Sequence, residues 1–287
     1  MKSRIPCVLL AAILGCNQSD TIGPDGSRRT VALIADHAIP RVTAIPADAI
    51  ETAKARLHIA YGHTSHGSQI VCGMSGLLDW KGSLYSFNNG GTAGALDLRD
   101  MPFTGASDLG NPDGTAWAAA TRAYLTANPE VNVVVWSWCG QVSSATEADI
   151  ETYLSLMNAL EQDFPAVTFV YMTGHLDGTG LTGNLHRRNE QIRGYCQNSM
   201  KVLFDFADIE SYNPDGGYFL DKDANDNCDY DSDANGSLDR NWAIDWQNAH
   251  PGEWYSCSAA HSQPLNGNLK ASAAWWLWAR LGGWSGR

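Results

Sequence analysis

The feature that most constrains this chain is a series of short, nearly uninterrupted apolar runs separated by longer segments of helical periodicity. Leu57–Tyr61, Val131–Cys139, Val167–Thr173 and Lys201–Ile209 each read as a strand. Ser68–Trp80, Glu147–Phe164 and Asn184–Gln197 read as helices between them. In the second of these, Ile150, Tyr153, Leu154, Leu156, Met157 and Leu160 share one face, Thr146 is placed to cap the start, and Pro165 ends the segment. A last helix, Leu265–Leu281, stops at Gly282-Gly283. Strands that are apolar on both faces must be covered on both faces, so the pattern predicts a parallel sheet between two helical layers. In such sheets ligands bind outside the carboxyl ends of the strands. Those ends carry Gly62–Gly67, Cys139–Ser143 and Gly174–Gly178.

The N-terminus reads differently. Lys2 and Arg4 precede the apolar run Val8–Leu14, which is too short to span a bilayer and closes on Gly15-Cys16. Residues 1–16 resemble a bacterial lipoprotein signal peptide whose Cys16 becomes the lipidated residue. Residues 17–46 read as a linker, and 47–287 as one domain with an acidic insertion at 215–246. The expected location is outside the cytoplasm, secreted or held on the cell envelope. Export to an oxidising compartment predicts one or two disulfides among Cys72, Cys139, Cys196, Cys228 and Cys257, with the pairing open. The net charge of −12 argues against nucleic acid and anionic membranes as partners, leaving the lipid anchor as the one expected membrane link.

The chemistry-bearing residues gather at the predicted strand ends. Gly62-His63-Thr64-Ser65-His66-Gly67 presents a serine on a strand-to-helix turn, where a hydroxyl is exposed and helix N–H groups face a developing oxyanion. Cys257-Ser258-Ala259-Ala260-His261 lies directly before the last helix. A Ser and a His at opposite ends of an α/β chain suit a nucleophile and its general base. In this order the elements resemble the GDSL/SGNH hydrolases over residues 55–282. The resemblance implies a flavodoxin-like three-layer α/β/α fold, esterase activity, Ser65 as nucleophile and His261 as base. The usual Asp three residues before the histidine is Ser258 here, so Asp177 is the expected orienting residue, with Glu253 and Asp245 as alternatives. Gln141 and a glycine from Gly90-Gly91 or Gly94, with Gly91 foremost, are expected to bind the oxyanion. His63, His66, His175, Trp138 and Trp254 are expected to line the substrate site.

Eleven tryptophans in an exported chain favour an acylated carbohydrate as substrate, because exposed Trp stacks on sugars. Two other readings use the same residues. His63, His66, His175 and His261, with Asp177, could surround a metal in a metal-dependent hydrolase. Alternatively, the chain is a non-catalytic, calcium-stabilised carbohydrate-binding or adhesion protein. Calcium enters through the insertion. Asp221, Asp223 and Asn225 are followed by Asp231, Asp233, Asn235, Gly236 and Asp239, the oxygen-ligand spacing that opens an EF-hand-type loop. Its twelfth position is Trp242 rather than Glu.

Overall fold

The computed structural model describes residues 30–286. In chain order the strands of the main sheet are β1 (Leu33–Ala35), β2 (His58–Gly62), β3 (Phe87–Asn88), β4 (Leu96–Asp100), β5 (Val133–Trp136), β6 (Thr168–Met172) and β7 (Val202–Phe204). A short antiparallel pair, β8 (Asp229–Tyr230) and β9 (Arg240–Asn241), lies in the acidic insertion. The helices are α1 (Ala47–Arg56), α2 (Ser68–Lys81), α3 (Ala116–Ala127), α4 (Glu147–Asp163), α5 (Asn184–Asn198), α6 (Phe206–Glu210), α7 (Trp242–Ala249) and α8 (Pro264–Leu281).

The seven-stranded sheet is parallel throughout, in the order β1-β7-β6-β5-β2-β4-β3. Its central five strands follow the flavodoxin-like order, and the fold is a three-layer α/β/α sandwich. Strand residues alternate between two cores. Ile59, Tyr61, Val133 and Val135 pack with α1, α2 and α8, whereas Ala60, Val134 and Trp136 pack with α3, α4 and α5. The α2–α8 contact is close: a Cβ on Gly73 would lie 2.1 Å from the Gly267 carbonyl oxygen.

Several boundaries differ from the sequence expectation. Residues 33–46 are not a tether: β1 pairs with β7, and Val42 and Ile45 are buried. The signal-peptide and lipobox reading, with linker residues 17–29, lies outside the described residues. Lys201–Ile209 is not one strand. The Asp205 side chain accepts the Asp208 N–H and caps α6, so β7 stops at Phe204. Thr146 caps α4 as expected, in a reciprocal capping box with Asp149. The insertion folds onto a third core, in which Phe219, Leu220, Cys228, Trp242 and Trp246 surround Leu176 and Leu265. The one or two disulfides expected among Cys72, Cys139, Cys196, Cys228 and Cys257 are not formed: all five are free thiols. No helix of the described residues is long and apolar enough to cross a membrane.

Candidate active site

The chain leaves β2 for β4 on one side and later returns to β5 on the other, so the strand order reverses at β2. The turn after β2 and the loop after β5 therefore meet at the crevice where such sheets bind ligands. Gly67 permits the meeting: a Cβ there would lie 2.2 Å from Ser137 Oγ and 2.4 Å from His63 Cβ. Buried Asp108 ties the two segments together. Its carboxylate accepts the Thr64 hydroxyl at 2.6 Å and the Gln141 amide N–H at 3.0 Å. Gln141 Oε1 in turn accepts the Cys139 N–H at 2.8 Å.

These constraints place Cys139 Sγ 3.5 Å from His66 Nδ1, and His66 Nε2 2.9 Å from Asp226 Oδ2. An ionised carboxylate only accepts, so the ring proton belongs on Nε2 and the Nδ1 lone pair faces the thiol. Burial is the main influence on His66 and moves its pKa below the ordinary imidazole value; nearby His175 adds to this, and the Asp226 hydrogen bond opposes it. Burial works to raise the Asp226 carboxyl. The hydrogen bond from His66 and the proximity of His175 outweigh it and hold that group below the ordinary carboxylate value. The resting state is thus a neutral imidazole against a carboxylate, with one nitrogen available as a base.

The His66 ring lies between two others. His175 stacks on it at 3.6 Å between centroids and 4° between planes, and His261 at 4.6 Å and 19°. His175 Nδ1 donates to the Leu176 carbonyl at 2.7 Å, and the Leu176 N–H donates to Glu210 Oε2 at 2.8 Å. Glu210 is fully buried and paired with Lys270 at 2.5 Å. Lys270 also donates to Gln69, whose amide N–H reaches the Ala260 carbonyl at 2.5 Å. One buried ion pair thereby holds the His175 loop, the start of α2 and the loop carrying His261.

The expected site residues divide sharply. Ser65, His66, His175 and His261 do converge, but their contacts differ from those expected. The Ser65 hydroxyl lies 3.6 Å from Cys139 Sγ, and the imidazole nitrogen beside that thiol belongs to His66, not His261. His261 is exposed, with φ of +60°, and meets the site as a stacking ring. Asp177 orients no histidine: it accepts the Thr179 N–H at 3.1 Å and the Thr179 hydroxyl at 2.5 Å, which closes its own turn. Asp226 takes the orienting position instead. Glu253 and Asp245 form exposed pairs with Arg41 and Arg240.

Gln141, expected to bind the oxyanion, spends its amide oxygen on the Cys139 N–H and one amide N–H on Asp108, and so ties the loop after β5 together. Gly91 is at the wrong end of the sheet. Its loop precedes β4 and folds on Asp97, which aligns with His58 at the start of β2, about 15 Å of strand from the turn holding Ser65. His63 is buried and turned toward Asp100 at 2.7 Å. Trp138 is core, donating to the Met172 carbonyl, and Trp254 donates to the Gln247 carbonyl. Among the described tryptophans only Trp80 is well exposed, so the sugar-stacking argument loses its basis.

Two of the expected calcium ligands in the insertion serve its own backbone. Asp231 accepts the N–H groups of Asp233, Asn235 and Gly236, and Asp239 accepts the Ser232 N–H and hydroxyl. Asn225 closes a turn with Asp229, Asp223 sits in the left-handed region at φ +53°, and Asp221 is exposed. Among the described residues, one group of three metal-type side chains converges: His66, His175 and Asp226. No family model matches the chain, and no curated protein matches it.

Proposed function

We propose that this chain is an extracytoplasmic hydrolase that cleaves carboxylic esters by covalent acyl transfer, with Cys139 as nucleophile, His66 as base and Asp226 as the residue that orients it. The observation that carries the reading is the alignment of thiol, imidazole and carboxylate at the reversal point of the sheet. The Cys139 thiol gives its proton to His66 Nδ1 as sulfur adds to the ester carbonyl. Asp226 keeps the ring oriented and stabilises the imidazolium that forms. His66 then returns the proton to the departing alkoxide, leaving a thioester. A water, deprotonated by His66, hydrolyses the thioester and restores the thiol. General-base assistance of this kind contributes about 10²- to 10⁴-fold in rate.

The residues around the relay are polar. Ser65 and exposed His261 touch it, and Asn227, next in the chain to Asp226, accepts from Gln263. That rim favours an acyl group on a hydroxyl-rich carrier such as carbohydrate over a lipid. The test is to mix the full chain briefly with an aryl acetate, quench in acid and map the acetylated peptide by mass spectrometry. Acetyl on Cys139 is the expected result. Acetyl on Ser65 would restore the serine reading, and turnover without any acyl-protein would overturn covalent catalysis.

A further inference from the structure

We infer that His66, His175 and Asp226 also form a binding site for one divalent transition-metal ion, and that the ion switches the relay off. One nitrogen from each histidine and one oxygen of Asp226 lie within 4.8 Å of one another. His66 Nε2 already touches the carboxylate at 2.9 Å, so an ion can take the place of the proton between them with a small widening. The second observation is His175 Nε2. It is buried and has no hydrogen-bond partner, on a residue only 9 % exposed. Because Nδ1 of the same ring donates to the Leu176 carbonyl, Nε2 carries the lone pair. A histidine whose other nitrogen is fixed by a carbonyl is the usual form of a metal ligand. Here that carbonyl is itself fixed, through the Leu176 N–H, by buried Glu210.

Two imidazoles and one carboxylate suit zinc, cobalt or iron rather than calcium, which prefers oxygen alone. The parallel stack of the two rings must fan open, since both lone pairs have to point at one ion. Coordination at His66 Nε2 moves the ring proton to Nδ1. The ring then donates toward Cys139 Sγ instead of accepting from it, and its role as base is lost. Only this switch rests on the hydrolase reading; the binding site does not.

Cobalt(II) titration of the chelator-treated full chain tests the site directly. One cobalt per chain, with visible absorption of a low-coordinate centre displaced by zinc and not by calcium, is the expected result. His175→Gln and, separately, Asp226→Asn should each weaken binding at least tenfold while circular dichroism stays native. No visible band in the unmodified chain, or unchanged binding in a folded His175→Gln chain, would overturn the site. Bound zinc should slow alkylation of Cys139 by iodoacetamide at least tenfold; an unchanged rate with metal bound overturns the switch. Failure to trap an acyl-protein would remove the hydrolase reading and leave the cobalt result to stand by itself.

Discussion

Two histidines of one turn, His63 and His66, are both buried and both paired with a carboxylate, yet only one is equipped for chemistry. His63 Nε2 lies 2.7 Å from Asp100, and its Nδ1 lies 3.1 Å from the Thr64 carbonyl, so each nitrogen has a fixed acceptor. His66 Nε2 lies 2.9 Å from Asp226, but its Nδ1 faces the Cys139 thiol. The first ring is closed on both sides and serves to pin the turn. The second is closed on one side and offers a lone pair to a nucleophile. The carboxylate partner therefore does not separate a structural histidine from a functional one; what the second nitrogen faces does.

The largest effect should come from removing that lone pair or its target. His66→Gln and Cys139→Ala should each lower kcat/KM for an aryl ester by at least about 10³-fold, with native circular dichroism. His63→Gln should change kcat/KM less than tenfold. It should instead destabilise the fold by about 1–3 kcal/mol through the loss of buried hydrogen bonds, read as a lowered Tm. If His63→Gln were as damaging to turnover as His66→Gln in a folded chain, the contrast between the two rings would fail.

The carboxylates extend the comparison at smaller amplitude. Asp226→Asn leaves a hydrogen-bonding side chain but removes the charge that stabilises the imidazolium. The loss should be roughly a hundredfold smaller than that of removing His66 itself, as expected when an orienting acid is lost rather than the base. Asp100 is half exposed, so Asp100→Asn should cost stability within about 1 kcal/mol and leave turnover near normal. Equal effects of the two Asn variants on kcat would show that the pairs are not functionally distinct.

Much of the fold was legible because it is written locally. Periodicity placed α2, α4, α5 and α8 and strands β2, β5 and β6 close to their observed positions, since each buries its own apolar face. The apolar residues of β1 and β4 sit in runs too short or too charged for periodicity to separate from loops. Lys201–Ile209 misled by its apolar content, although Asp205 three residues before Asp208 was a readable cap. The site was legible only in part. Strand ends located Ser65, His66, Cys139 and His175, because the rule concerns topology. Pairings within the site were not, since His66 meets Asp226 across 160 positions and no local pattern encodes that contact. Asp226 is one acid among many in the insertion and lies outside the expected calcium ligands, and Cys139 counts among five disulfide candidates, because sequence shows residue types and not what they face.

A small effect is also expected at Ser65, and it decides between the sequence pattern and the geometry. On the strand-to-helix turn Ser65 occupies the position where a hydrolytic serine is expected. Its hydroxyl, however, lies 3.6 Å from Cys139 Sγ, whereas the base lies beside the sulfur. A hydroxyl without a base in contact is a poor nucleophile at neutral pH, while a thiol next to an imidazole is a good one. Ser65→Ala removes one weak contact to the thiol and leaves the His66–Asp226 pair untouched. It should therefore lower kcat less than tenfold and leave the rate of Cys139 alkylation within a factor of about two. A loss of about 10³-fold, with Cys139→Ser retaining activity, would reverse the assignment: His66 would then serve the serine, and Cys139 would be its neighbour.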